Sequence, residues 1–280
     1  LPAVDFNHCI VKVNAGGQVW YLELTDANLP FGSLPNSDIR GLALEIPYNG
    51  AGAKPGIFQL HPDNRTSDYR RQTVQIAIKN RDLAISVNTT LSGALTGNLR
   101  ETYATLNREK QIEEIQKPLG GRFANPVTVK DVSFGALDQL RDTIQFHVQY
   151  NVRNEIIEIG DLKTFRVPFY YIFLKPDAFQ EETRNFPINY WEYEDADEYH
   201  EEVSIDAPAG KQFTEIPKDV ALTFGGTQYS LTYKKNSATS LSVVRHIKIN
   251  RSNIPAGDYA AFRTFVDEVV GAENRYVAFK

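Results

Sequence analysis

A histidine and an aspartate near the start of the chain have the types and spacing for acid–base chemistry. Residues 7–13 and 19–26 are rich in β-branched and aromatic side chains and flank Gly16-Gly17, the pattern of a β-hairpin. A loop centred near Gly17 sets His8 opposite Asp26; a register one residue different sets it opposite residue 25 and diagonal to Asp26. Opposed residues have Cβ atoms about 4.5–5.5 Å apart, so chain geometry alone allows a His8–Asp26 hydrogen bond. An aspartate that orients an imidazole is the back half of a nucleophile–base–orienter triad. The plainer reading is a packed strand histidine and an aspartate that opens a turn.

Cys9 adjoins His8 but is a poor nucleophile for it. Successive strand residues point to opposite faces, so Cys9 turns away from His8. It lies within a strand pattern rather than at a helix N-terminus, where a thiol would be activated. We expect a buried, inert thiol.

The run Phe6-Asn7-His8, then Leu24-Thr25-Asp26 and Leu29-Pro30-Phe31-Gly32-Ser33-Leu34-Pro35, resembles the transglutaminase-like branch of the papain-type thiol fold. More narrowly, it is similar to bacterial cell-envelope proteins in which such a core lies between two β-sandwich domains of unknown function. The resemblance is carried by roughly residues 1–35 and is diffuse beyond them. It implies His8 as base, Asp26 as orienter and a catalytic cysteine upstream, at a helix start that this chain does not contain. It also implies a periplasmic or envelope location, and as partners the preceding part of the same protein or an envelope protein or peptide. The chain opens Leu1-Pro2-Ala3 without an initiating Met, and we expect an excised or processed fragment.

Composition sets wider bounds. A chain of 280 residues holds one large or two modest domains, and 42% hydrophobic with 11% aromatic residues is the make-up of a folded protein. A net charge of −5 gives no global attraction for nucleic acid. One cysteine excludes an internal disulfide and a Cys-rich zinc site. No apolar run reaches the ~18 residues of a membrane span, no signal peptide is visible, and no cofactor or metal is expected.

Along the chain, residues 1–47 read as the C-terminal portion of the transglutaminase-like core, with a last strand at 41–46. The small, turn-rich stretch 47–56 is the expected boundary. Residues 57–280 read as an antiparallel β-sandwich with a few helices, so the chain is mostly β. Alternating strands are predicted at 73–78, 83–89, 127–134, 143–152, 156–159, 203–205, 212–216, 220–224, 228–234 and 241–249. Residues 165–174 suggest a buried strand broken at Pro168. Within 97–117 the stripes of Leu99, Tyr103, Leu106 and of Ile112, Ile115, Leu119 are out of phase, which predicts two short helices or a bend near 107–110, ended by Pro118 and Gly120-Gly121. An amphipathic helix is expected at 255–270, stopped by Gly271, with 275–279 as a final edge strand.

Other chemistry-bearing residues fit bland roles. The segment 190–202 carries seven carboxylates and four aromatics, but no EF-hand spacing or turn glycine, and reads as a solvated acidic loop. His61, His147, His200 and His246 lack metal-ligand spacing. Tyr69-Arg70-Arg71 and Lys234-Lys235 are small basic spots, far short of a nucleic-acid footprint. Two functions follow for the chain: a β-sandwich binding or scaffold module of the envelope that carries an incomplete His8/Asp26 half-site, or part of an active cysteine acyltransferase or peptidase. The chain alone is expected to be inactive.

Overall fold

A computed structural model describes residues 6–39, 41–48, 54–175 and 179–280. Asp5 of the opening stretch and residues 49–53 of the expected boundary at 47–56 lie outside the described residues. The first strands are β1 (Val11–Ala15) and β2 (Gln18–Leu22), followed by β3 (Leu42–Glu45) and β4 (Gly56–Gln59). β3 pairs with β4, and Leu60 packs with Tyr21, Leu34 and Ile39, so residues 56–60 belong with the N-terminal unit.

Alternation then builds a large sheet. β5 (Tyr69–Lys79) and β6 (Asp82–Ser92) form a hairpin and are followed by helices α1 (Ala94–Tyr103) and α2 (Arg108–Gly120). β7 (Val127–Phe134) and β8 (Thr143–Val152) return to the same sheet. β9 (Ile157–Ile159) and β10 (Leu162–Arg166) start a second sheet. β11 (Glu198–Asp206), β13 (Val220–Phe224), β14 (Thr227–Lys235) and β15 (Ser240–Lys248) rejoin the first, while β12 (Phe213–Glu215) and β16 (Tyr276–Phe279) complete the second around helix α3 (Tyr259–Glu273).

The fold is mostly β, as expected. The orders are β13-β14-β15-β11-β5-β6-β8-β7 and β12-β16-β10-β9. The large sheet is two antiparallel sets joined at one parallel seam, β5 against β11. Period-2 patterning gives it one apolar face: Val74, Ile76, Val203, Ile205, Val148 and Val243 are buried in one core with Phe165, Phe213 and Phe279 of the second sheet.

Several expectations need correction. Of the two alternatives for 97–117, two helices rather than one bent helix form, with Asn107 Oδ1 accepting the Lys110 amide (3.0 Å) at the start of α2, but Pro118 lies inside α2 rather than ending it. Gly271 does not stop α3, which runs to Glu273, where Asn274 Nδ2 donates to the Val270 carbonyl (2.8 Å). β16 is interior, not an edge: it pairs with both β10 and β12. After Arg166 the apolar stretch is buried loop rather than strand.

The acidic segment is not a solvated loop. Trp191 is fully buried against Phe173 and Phe262. Glu194 is buried and accepts from the hydroxyls of Tyr199 (3.1 Å) and Tyr171 (3.3 Å). Glu201 binds Arg245 (2.7 Å) and accepts the Tyr170 amide (2.8 Å). Asp197 binds Arg65 (3.0 Å) and Arg251 (2.6 Å).

Two outcomes follow. Asp197→Asn leaves two buried guanidiniums undercompensated and should destabilise the fold by about 3 kcal/mol in urea denaturation. Burial pushes Glu194 up to about 7 against the hydroxyl hydrogen bonds. A carboxyl whose folded value is raised contributes stability that is complete below its unfolded value and lost as pH rises through the folded one. Unfolding free energy should therefore fall by about 2–3 kcal/mol between about pH 4.5 and 7.5 through this group. Glu194→Gln should flatten that part of the pH–stability curve.

Candidate active site

The Gly16-Gly17 turn fixes what His8 can reach. Both glycines have positive φ (61° and 77°), the requirement of a two-residue type I′ turn, and Ala15 pairs with Gln18. Val11 then faces Leu22. Continued outward, this register sets His8 across from Thr25 and diagonal to Glu23, with Asp26 on the other side of the ribbon. Diagonal neighbours lie about 7–8 Å apart at Cα, within reach of a long side chain.

The carboxylate on His8 is accordingly Glu23. His8 Nε2 makes a short hydrogen bond to Glu23 Oε2. Glu23 is held in turn by the amide and hydroxyl of Thr25, both 2.5 Å from Oε1. The Glu23 side chain is 2% exposed and that of His8 39%, a buried orienter beneath an accessible imidazole. The bond to Glu23 raises the His8 pKa above its ordinary value; partial burial opposes this, and the charges of Glu23 and Asp38 add to it. For Glu23, burial acts upward but the Thr25 and His8 bonds prevail and hold it low.

Asp38 is the third member. It comes from the turn closed by the Ile39 amide on the Asn36 carbonyl (3.2 Å), and its Oδ2 lies 4.0 Å from His8 Nε2. That oxygen is buried with no hydrogen-bond donor, and burial raises the Asp38 pKa. The ligand atoms of His8, Glu23 and Asp38 fall within 4.8 Å of one another, so these are the residues of the site that could hold a divalent cation. Both oxygens of Glu23 are already engaged, which favours a base and its orienter.

Asp26 does a different job from the one expected. Its Oδ1 accepts the Asn28 amide (2.8 Å), shaping the turn that offers the Asn28 carbonyl to Arg100 (2.9 Å) on α1. The Thr66 amide donates to the Gly32 carbonyl (2.9 Å), and Asn36 Nδ2 donates to the Glu194 carbonyl (2.7 Å). These bonds fasten the loop after the hairpin to the large domain. Cys9 is exposed, not buried, because the ribbon face opposite His8 is uncovered: Val11 and Leu24 are exposed there too. His200 and His246 bind Glu202 and Glu198 across the open face of the large sheet, and His147 binds Asn88.

Residues 161–279 are similar to a family described as a Domain of Unknown Function with solved-structure structure (DUF3858). No curated protein matches the chain. The matched span starts at β10 and takes in β11–β16 and α3, so it stops at the parallel seam. β5–β8 and the hairpin with His8 lie outside it.

Glu23 and Asp38 were missed from sequence. The signal for Glu23 was the two-glycine turn, whose geometry selects the register that brings residue 23, not 26, to the face of His8. Asp38 sits in an irregular turn and had no periodic signal. In an NMR pH titration of the chain, His8 should titrate above the ordinary 6.5. Glu23→Gln should lower that midpoint, and Asp26→Asn should leave it unchanged.

Proposed function

We propose that these residues supply the base and orienter of a transglutaminase-like thiol site, mounted on a β-sandwich module that has no acyl-transfer chemistry of its own. The observation that carries the reading is the Thr25–Glu23–His8 chain: a buried carboxylate, fixed by two donors, holding an accessible imidazole. Such a base takes the proton of a thiol, which then attacks an amide or acyl carbonyl. The roles assigned from the resemblance are kept for His8 and moved from Asp26 to Glu23. The nucleophile in this proposal is a cysteine outside these residues, since Cys9 faces away.

The surface of the N-terminal unit supports a covering polypeptide. Leu42, Ile46 and Ile57 are 71%, 76% and 69% exposed, Val11 and Leu44 lie open in the same groove as Ile46, and Val19 is exposed on the other face of the hairpin. Apolar exposure on two ribbons of two strands each is what a fold leaves when the layer over it is supplied from elsewhere. The resemblance extends the proposal to the bacterial periplasm or cell envelope and to an envelope protein or peptide as substrate. No helix among the described residues is long and apolar enough to cross a membrane.

The test places these 280 residues behind a transglutaminase-like thiol half and treats the product with a thiol-directed acyl probe. His8→Ala should cut labelling by about 100-fold or more, Glu23→Gln should reduce it, and Asp26→Asn should retain it. The 280-residue chain alone should neither label at Cys9 nor hydrolyse amides. A thiol that stays reactive in the His8→Ala variant would remove the reading.

A further inference from the structure

The buried arginines among the described residues, Arg65, Arg100, Arg245 and Arg251, are all matched by oxygen, whereas Arg70 and Arg122 are half-buried. Arg245 binds Glu201 (2.7 Å) and Glu273 (2.8 Å), and Arg65 binds Asp68 (2.6 Å). Arg100 donates to the carbonyls of Asn28, Gln139 and Arg141. Arg70 and Arg122 break the pattern. Among the described residues neither guanidinium has an ion pair or a hydrogen-bond acceptor, and Arg70 Nε and Arg122 Nη1 are buried and unpartnered. Each instead lies over a tyrosine ring, Arg70 over Tyr171 at 5.2 Å and Arg122 over Tyr170 at 5.3 Å.

The placement is not a surface accident. Arg70 faces Leu91 in the β5–β6 register, on the apolar side of the sheet where Gln72 next in line is satisfied by Thr89 (3.1 Å). Both arginines line one pocket of ≈ 260 Å³ between that side of the sheet and helices α1 and α2. Its walls include Leu91, Leu95, Leu99, Leu119 and Phe146, with Asp195 at the exposed rim, in ion-pair contact with neither arginine. Burial lowers the pKa of Arg122 and the like charge of Arg70 adds to this, while Tyr170, Tyr150 and Glu201 act in the opposite sense without prevailing. Holding partly buried guanidiniums in such a place without a direct ion pair or hydrogen-bond acceptor is costly.

We propose that this pocket binds a small monocarboxylic acid with an apolar body, its carboxylate held between Arg70 and Arg122. The guanidinium fork matches carboxylate oxygens and binds them by charge-assisted hydrogen bonds. A concave, mostly apolar lining with a few convergent polar groups is the usual form of a small-molecule site. The volume lies just under the ~300–1,000 Å³ of drug-sized pockets, which limits the ligand to a short acid. Two forks satisfy the two oxygens of a carboxylate; a phosphate would press further oxygens against leucine side chains. The pocket shares no residue with the His8–Glu23 pair and stands or falls separately from it.

Calorimetric titration of the 280-residue chain with octanoate and 4-phenylbutyrate tests the assignment against octanamide, 4-phenylbutyramide and inorganic phosphate. The acids should bind about tenfold or more tightly than their amides. Arg70→Met and Arg122→Met should each abolish that preference. The melting temperature of ligand-free Arg122→Met should equal or exceed the parent's, whereas an arginine of purely structural value would lower it. The acid–amide comparison uses the unaltered chain and needs no variant to fold. Equal binding of acid and amide, binding of neither acid, or tighter binding of phosphate than of both acids overturns the proposal.

Discussion

The parallel seam between β5 and β11 depends on two aspartates and two arginines at its start, of which Asp68, Arg65 and Arg251 are buried and Asp197 partly so. The Asp197 amide donates to the Asp68 carbonyl (2.7 Å), and Asp197 Oδ2 accepts the Asp68 amide (2.9 Å). That reciprocal pair sets the strands in register one residue before Tyr69 and Glu198 meet. Arg65 then bridges Asp68 and Asp197, and Arg251 closes on Asp197 from the end of β15. Burial pushes Asp68 up to about 7, yet its two oxygens face the Arg65 guanidinium and the Ala94 amide (2.7 Å), the surroundings of an ionised carboxylate. Parallel pairing brings no hairpin to fix its register, so side chains must do it. The Asp68 carboxylate also forces glycine at 93: a Cβ there would lie 2.0 Å from Asp68 Oδ1, and φ is +64°.

The same corner decides how firmly the hairpin is held. Its own core is small, built on Tyr21, Leu34, Ile39 and Leu60. Two-stranded ribbons of that kind are marginal alone. Their position comes from outside, through Arg65 on Asn36 (3.4 Å), Thr66 on Gly32 and Arg100 on Asn28. Arg65 and Thr66 directly precede the seam, so the geometry around His8 inherits the rigidity of the large sheet. The family resemblance over 161–279 includes Asp197 and Arg251 but not their partners Arg65 and Asp68.

Strands whose faces differ in polarity were legible in the sequence. Thr143–Val152 alternates and is β8 throughout, and the phase break in 97–117 marked the gap between α1 and α2. What escaped were features that periodicity does not encode. Glu201 lies on the apolar face of β11 in phase with Val203 and Ile205, and Arg245 on the neighbouring strand together with the Tyr170 amide makes that tolerable. Charge count alone therefore misread 190–202 as solvated. β16 looked like an edge because it is short and terminal, whereas its order in the sheet is set by chain entries from β10 and β12. At the candidate site the carboxylate bonded to His8 is Glu23 and not Asp26, because a one-residue change of register carries every side chain to the other face.

Helix α1 is where these constraints meet. Its first amide binds Asp68, Gly97 lies against Leu29 of the hairpin loop, Arg100 holds the Asn28 carbonyl, and Leu95 and Leu99 wall the pocket of Arg70 and Arg122. An alanine at 97 would place its Cβ 2.8 Å from Leu29 Cδ2, so the close approach of loop and helix is part of the design. Contact of this kind transmits position rather than a signal, because coupling between sites requires an element with two arrangements. With its N-terminus tied to a buried ion pair, α1 has the character of a fixed bracket: it holds the loop that follows the hairpin at Asn28 and Leu29, while the orientation of the His8 imidazole is set within the hairpin by Glu23.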